Sequence, residues 1–150
     1  MASGDTNLSN LVLSGTLAVT GASTFTGAVS APGGITAPIV GGITLPVQEL
    51  TATGAFTNIS QLMLLNHATV IIAATLGDPA PGQVIVIWDD SASGTAAHTV
   101  TLPTATWDGT HKIATFNAPG KALVCVAQSA TRYNILVNLG TVTFSEGRGS

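Results

Sequence analysis

Residues 11–40 read LVLSGT, LAVTGA, STFTGA, VSAPGG and ITAPIV, five consecutive blocks of six. Apolar residues mark the first and third places of most blocks: Leu11 and Leu13, Leu17 and Val19, Phe25, Val29 and Ala31, Ile35 and Ala37. Glycine holds the fifth place four times running, at Gly15, Gly21, Gly27 and Gly33. A six-residue repeat that alternates with period two is a strand signal, not a helix signal. A ribbon this thin cannot bury its own apolar edge. Ordering its backbone costs more entropy than its larger side chains return when buried. It is therefore expected to order only with other chains. Five blocks are too few for a single-chain left-handed β-helix, whose stacked coils need at least about three repeats plus caps. Three intertwined copies meet the same geometry with a short ribbon. The expectation for residues 1–46 is thus a β arm wound as a trimeric shaft, with a dimer or an extended arm lying on another protein as the alternatives. Leu11, Leu13, Leu17, Val19, Phe25, Val29, Ile35 and Ile39 would form the trimer interface. The repeat glycines would sit where backbones turn tightly or approach closely.

Composition supports a covered surface. The chain has 150 residues, of which 45% are hydrophobic and only 7% charged, with net charge −3. Typical domains carry about 25% charged residues, and soluble monomers keep a well-charged surface. Ser and Thr take over that role here, and other chains are expected to cover much of the rest. The fixed cations are Lys112, Lys121, Arg132 and Arg148, scattered along the chain. Phosphate binding by counterion release wants clustered Lys and Arg, so nucleic acid is not expected as a direct partner. The uncharged stretch from Thr6 to Gln48 is interrupted by Ser, Thr, Gly and Pro, unlike a membrane-spanning helix. The opening MASGDTNLSN lacks a basic region before an apolar core, so a cleaved secretory signal is not expected. The single cysteine, Cys125, lies in ALVCVA and reads as a small buried hydrophobe.

Beyond a junction at Pro38, Gly41, Gly42 and Pro46 the texture changes. Strand-length runs appear at 61–66, 69–75, 83–89, 98–103, 111–116, 121–127, 132–139 and 141–145. DPAPG, DSASG, WDGT, NAPG and SAT punctuate them. Asp108-Gly109 is a hairpin signal that needs positive φ at both residues, and Pro119-Gly120 suits a type II turn. Turns every 8–12 residues or so point to an all-β sandwich or barrel. Only Ile59–His67 offers a short helical stripe. The expected organisation is an arm at 1–46, a β-sandwich or jelly-roll-like domain at 47–146, and a flexible tail at 147–150.

The ribbon NLVLSGTLAVTGASTFTGAVSAPGGITA resembles the shaft repeats of bacteriophage fibre proteins. The segments QLMLLN, PGQVIVIW, HTVTLPTATWDGT, ATFNAPGKALVCVA and RYNILVNLG resemble β domains of phage head-fibre, decoration or cement proteins. The resemblance implies a homotrimeric virion protein on the capsid exterior, made without a secretory signal and bridging major capsid subunits. No cofactor and no catalytic residues are expected. A short phage fibre or adhesin that binds host glycans is the alternative.

The residues suggest no metal or catalytic centre. Asp89-Asp90 sits at a strand end, where acidic residues cap turns, and the calcium-loop spacing is absent. His67, His98 and His111 lack the short pairings of zinc ligands. No G-x-S-x-G elbow or phosphate-binding loop occurs. A hexapeptide acyltransferase would need more blocks and a histidine among them, and 11–40 contains none. Trp88 and Tyr133 read as core or interface residues. Trp107, beside the Asp108-Gly109 tip, is the expected exposed contact. The pattern Asn-x-Ser at Asn7 and Asn58 reads as chance.

Overall fold

A computed structural model describes residues 45–57 and 61–147. The chain divides into two units, Met1–Val40 and Gly41–Ser150, and all the described residues fall in the second. The six-residue blocks, their glycines Gly15, Gly21, Gly27 and Gly33, and the arm residues Leu11, Leu13, Leu17, Val19, Phe25, Val29, Ile35 and Ile39 lie outside the described residues.

Among the described residues the structure is all-β and contains no helix. The strands are β1 (Val47–Leu50), β2 (Gly54–Phe56), β3 (Leu62–Leu65), β4 (Ala73–Leu76), β5 (Val84–Asp89) and β6 (His98–Thr101). There follow β7 (Thr106–Trp107), β8 (Ile113–Phe116), β9 (Ala122–Ser129), β10 (Arg132–Leu139) and β11 (Thr143–Ser145). They form two sheets, one ordered β1-β3-β5-β9-β10-β7 and the other β11-β8-β6-β4-β2.

The first six strands wind like a solenoid. Each strand in one sheet is followed by a strand in the other. β1, β3 and β5 pair in parallel, as do β2, β4 and β6. The last strands then pair mostly antiparallel, β8 on β6, β9 on β5 and β10 on β9. Short turns alone suggest strands that follow one another through hairpins, and the parallel winding departs from that order. The segment 59–67, with its short helical stripe, holds strand β3 instead.

Period-two alternation decides what lies between the sheets. Met63, Leu65, Ile85, Ile87, Leu123 and Cys125 point inward from the six-stranded sheet. Phe56, Ala74, Leu76, Val100, Ala114 and Phe116 come from the five-stranded sheet, and all join one buried cluster. Strands place successive side chains on opposite faces, so this single core fixes the outward residues as well.

The turn chemistry is as the residue types require. Asp108 and Gly109 adopt φ of 53° and 86°, and Trp107 and His111 exchange backbone hydrogen bonds around them. Gly120 has φ of 80°, and the Lys121 amide donates to Ala118 O. One run is corrected. Residues 69–75 do not form a strand throughout, because β4 begins only at Ala73. The amides of Thr69 and Val70 donate to Nδ1 of His67, and the Ile72 amide donates to Nδ1 of His98. Two imidazoles thereby hold this segment as a loop.

Gly94 is tighter still. Its φ is 130°, and a Cβ there would lie 1.8 Å from the Ala68 carbonyl oxygen. At Gly120 a Cβ would meet nothing within 4 Å. Gly94→Ala should therefore destabilise by about 3 kcal/mol or more, combining backbone strain with a collision. Gly120→Ala should cost only about 1–2 kcal/mol. Urea melts of the two variants check this, and equal midpoints would show that the 91–97 loop is not held against Ala68.

Candidate functional site

Alternation that fills the core leaves a second set of residues facing away from it. On the five-stranded sheet these are mostly hydroxyl-bearing. Thr99, Thr115 and Thr143 share one row, and Thr75, Thr101, Ile113 and Ser145 share the next. Threonine suits a strand, and its hydroxyl suits water.

The six-stranded sheet is different. Its register aligns Val47, Leu62, Val86, Val124 and Val137 across five adjacent strands. The next row aligns Glu49, Leu64, Trp88, Ala122 and Leu139. Val84 and Val126 extend the surface beyond the first row. Trp88 is 43% exposed, Val137 49% and Leu139 56%. Only Glu49, on the edge strand, brings a charge into these rows. Strands lie about 4.8 Å apart, and outward residues repeat about every 6.7 Å along a strand, so the face covers roughly 300–500 Å² in plan. Contiguous apolar patches beyond a few hundred Å² mark interaction sites.

A bulge enlarges this face. The pairing of β10 with β9 slips between Ile135 and Val137. Regular alternation after Asn134 would send Leu136 and Asn138 outward. The extra residue resets the phase, so Val137 and Leu139 join the apolar rows while Leu136 stands 60% exposed beside them. Asn138 is released to brace the following turn, donating to Val142 O and accepting from the Val142 amide.

Trp107, expected as the exposed contact, is instead fully buried. The tight turn at Asp108-Gly109 folds its indole inward, 5.6 Å from the Tyr133 ring and 6.5 Å from Phe144. Tyr133 is core, as its apolar surroundings require, and its hydroxyl donates to Gln83 Oε1. The exposed indole belongs to Trp88. Sequence reasoning read Trp88 as a core or interface residue and left the other outward residues unassigned, although a signal was present. VIVIW and ALVCV are apolar without interruption, and uninterrupted runs belong to strands apolar on both faces.

The structure also brings together Asp89, Ser91 and His98, all buried. His98 Nδ1 accepts the Ile72 amide at 3.0 Å. That bond assigns the ring proton to Nε2, which lies 3.2 Å from Ser91 Oγ and 3.9 Å from Asp89 Oδ1. A nitrogen that already carries its proton cannot take one from Ser91. The Ser91 hydroxyl is further engaged by the amide and carbonyl of His67. Asp89 Oδ1 accepts the Ser91 amide, as a turn-capping carboxylate does. The cluster is a joint between loops. His111 lies apart from it, against Phe144 at 5.9 Å. Among the described residues no group of three or more His, Cys, Asp or Glu side chains is placed to hold a metal ion.

No protein-family model matches the chain, and no curated protein matches its sequence.

Burial pushes the Cys125 thiol up from its ordinary value of 9.0 to about 12, with Asp108 adding to the shift. Burial likewise raises Tyr133 from 10.0 to about 12, followed by the charges of Cys125 and Asp78. Both groups are neutral in the fold at pH values where the unfolded chain has released their protons. Stability is therefore full below about pH 9 and falls as pH rises toward 12. Thermal melts across pH 8–11 should show this decline. A Cys125→Ala, Tyr133→Phe variant should be less stable at neutral pH yet show a flatter alkaline slope. An unchanged slope would mean that other groups cause the loss.

Proposed function

We propose that this chain is a homotrimeric structural virion protein, a capsid decoration or cement protein without catalytic activity. It binds the outer surface of the major capsid lattice and stabilises the head against genome pressure. The observation that carries this reading is the apolar outer face of the six-stranded sheet, left without a covering layer among the described residues, on a chain with 7% charged residues. A surface of that kind serves assembly, because it gains free energy only when other protein covers it. The six-residue blocks of the N-terminal arm add the expectation of an intertwined three-chain shaft. In this reading the two sheets of residues 47–146 pack as a sandwich that the shaft joins to its copies.

The mechanism is mechanical. A ligand that binds only the assembled lattice stabilises it by mass action, by about 2.7 kcal/mol at a hundred times its Kd. A trimer seated on a three-fold position ties neighbouring subunits together at several points, so the contacts reinforce one another.

Cryo-imaging of particles with and without the protein tests the assignment. Density at three-fold or pseudo-three-fold sites on the shell is expected. Particles without the protein should release DNA at lower temperature or after milder osmotic shock. Density confined to the tail would replace the decoration role with the short-fibre role, and equal resistance of the two particle types would remove the cementing role.

A further inference from the structure

We infer that the outer face of the six-stranded sheet is the surface through which copies of this chain meet, while the threonine face of the second sheet stays in water. This deepens the homotrimer reading above and rests on it. The homotrimer reading expects one contact in the N-terminal blocks. The sheet face adds a second contact, built into the β domain.

Three observations select copies of this chain over a foreign partner. The first is charge. The rows Val47-Leu62-Val86-Val124-Val137 and Glu49-Leu64-Trp88-Ala122-Leu139 contain one ionised group, Glu49 on the edge strand, whose carboxylate accepts a hydrogen bond from Asn66. Interfaces between identical subunits are the more apolar class, whereas separable partners are matched by charge and polar contacts. A face whose only charge lies on its edge strand has little to steer a separate partner, yet its own apolar surface is complementary to it.

The second is area. The plan area, roughly 300–500 Å², is below the roughly 800 Å² per partner of a standard stable complex. Such a face holds weakly against a freely diffusing protein. It holds well between chains already joined elsewhere, because tethering converts the encounter into an intramolecular one at high effective concentration. An arm that gathers three copies supplies that tether.

The third is the contrast between the two sheets. They share one core and the same strand periodicity, yet one outer face is mostly Val, Leu and Trp while the other, apart from Ile113, Ala55 and Ala73, is Thr and Ser. Two equally wetted faces would carry similar residues. The β10 bulge sharpens the contrast by exposing Leu136, Val137 and Leu139 together on one side.

Thiol labelling of the full-length purified protein tests the inference. The native Cys125 is buried and gives little background. Val137→Cys places a thiol on the apolar face, and Thr75→Cys places one on the hydroxyl face. With a maleimide probe, Val137→Cys should label at least tenfold more slowly than Thr75→Cys in the native protein, and equally fast in denaturant. Val84→Cys, outward on the same face, repeats the test should Val137→Cys fold poorly. Equal native rates in a protein that sediments as a trimer would overturn the inference while leaving the homotrimer intact. Shielding of Val137→Cys only after capsid particles are added would also overturn it, by making the shell the occupant. A protein that sediments as a monomer would remove the homotrimer reading and this inference together. Slow Val137→Cys labelling in a protein absent from particles would uphold the inference while removing the decoration role.

Discussion

A strand has two faces, and in the six-stranded sheet both are apolar. One face is covered by the second sheet and makes the core with Met63, Leu65, Ile85, Ile87 and Leu123. The other, with Val86, Trp88, Val124 and Val137, is left with no layer above it within the described residues. The remaining features follow from this one imbalance. It sets that sheet apart from the second, whose outward residues are mostly Thr and Ser. It gives the β10 bulge its consequence, because a slip of one residue decides which side chains reach the apolar rows. It also bears on the low charge of the chain, because under the proposed assembly burial against other protein would replace surface charge as the means of satisfying its exterior.

The polar groups inside serve the connections between strands. Parallel winding needs long crossings between the sheets, and their amides cannot all join a ladder. His67 and His98 capture three of these amides, and Ser91 and Asp89 tie the crossing after β5 to the crossing after β3. The combination has the residue types of a nucleophilic triad. Its hydrogen bonds are spent on backbone, and the proton on His98 Nε2 is on the wrong nitrogen for a base facing Ser91.

Much of the β domain was legible from local rules. Turn residues marked the strand boundaries because Asp108-Gly109 and Pro119-Gly120 have few conformations open to them. Strand-length apolar runs between turn clusters located β3, β5, β6 and β8 to β11. The strands β1 and β2 were not legible, since VQEL and GAF carry too few apolar residues to show a pattern. Parallel pairing was hidden for a different reason. Successive turns of the winding differ in length, with Val47 beside Leu62 but Leu62 beside Val86. Without a constant interval, no repeat is visible. Trp107 was misplaced because nearness to a hairpin tip says nothing about which face the turn presents.

By itself, the sequence determined the strand character of the domain, the turns, and the shortage of charge. These depend on neighbours a few residues apart, where backbone sterics and alternation act. Only the tertiary structure decided which strands lie side by side, and hence that scattered valines, leucines and one tryptophan form a single face. Such a face is a sum over residues up to ninety positions apart, from Val47 to Val137, and registry between distant strands is set by the shared core.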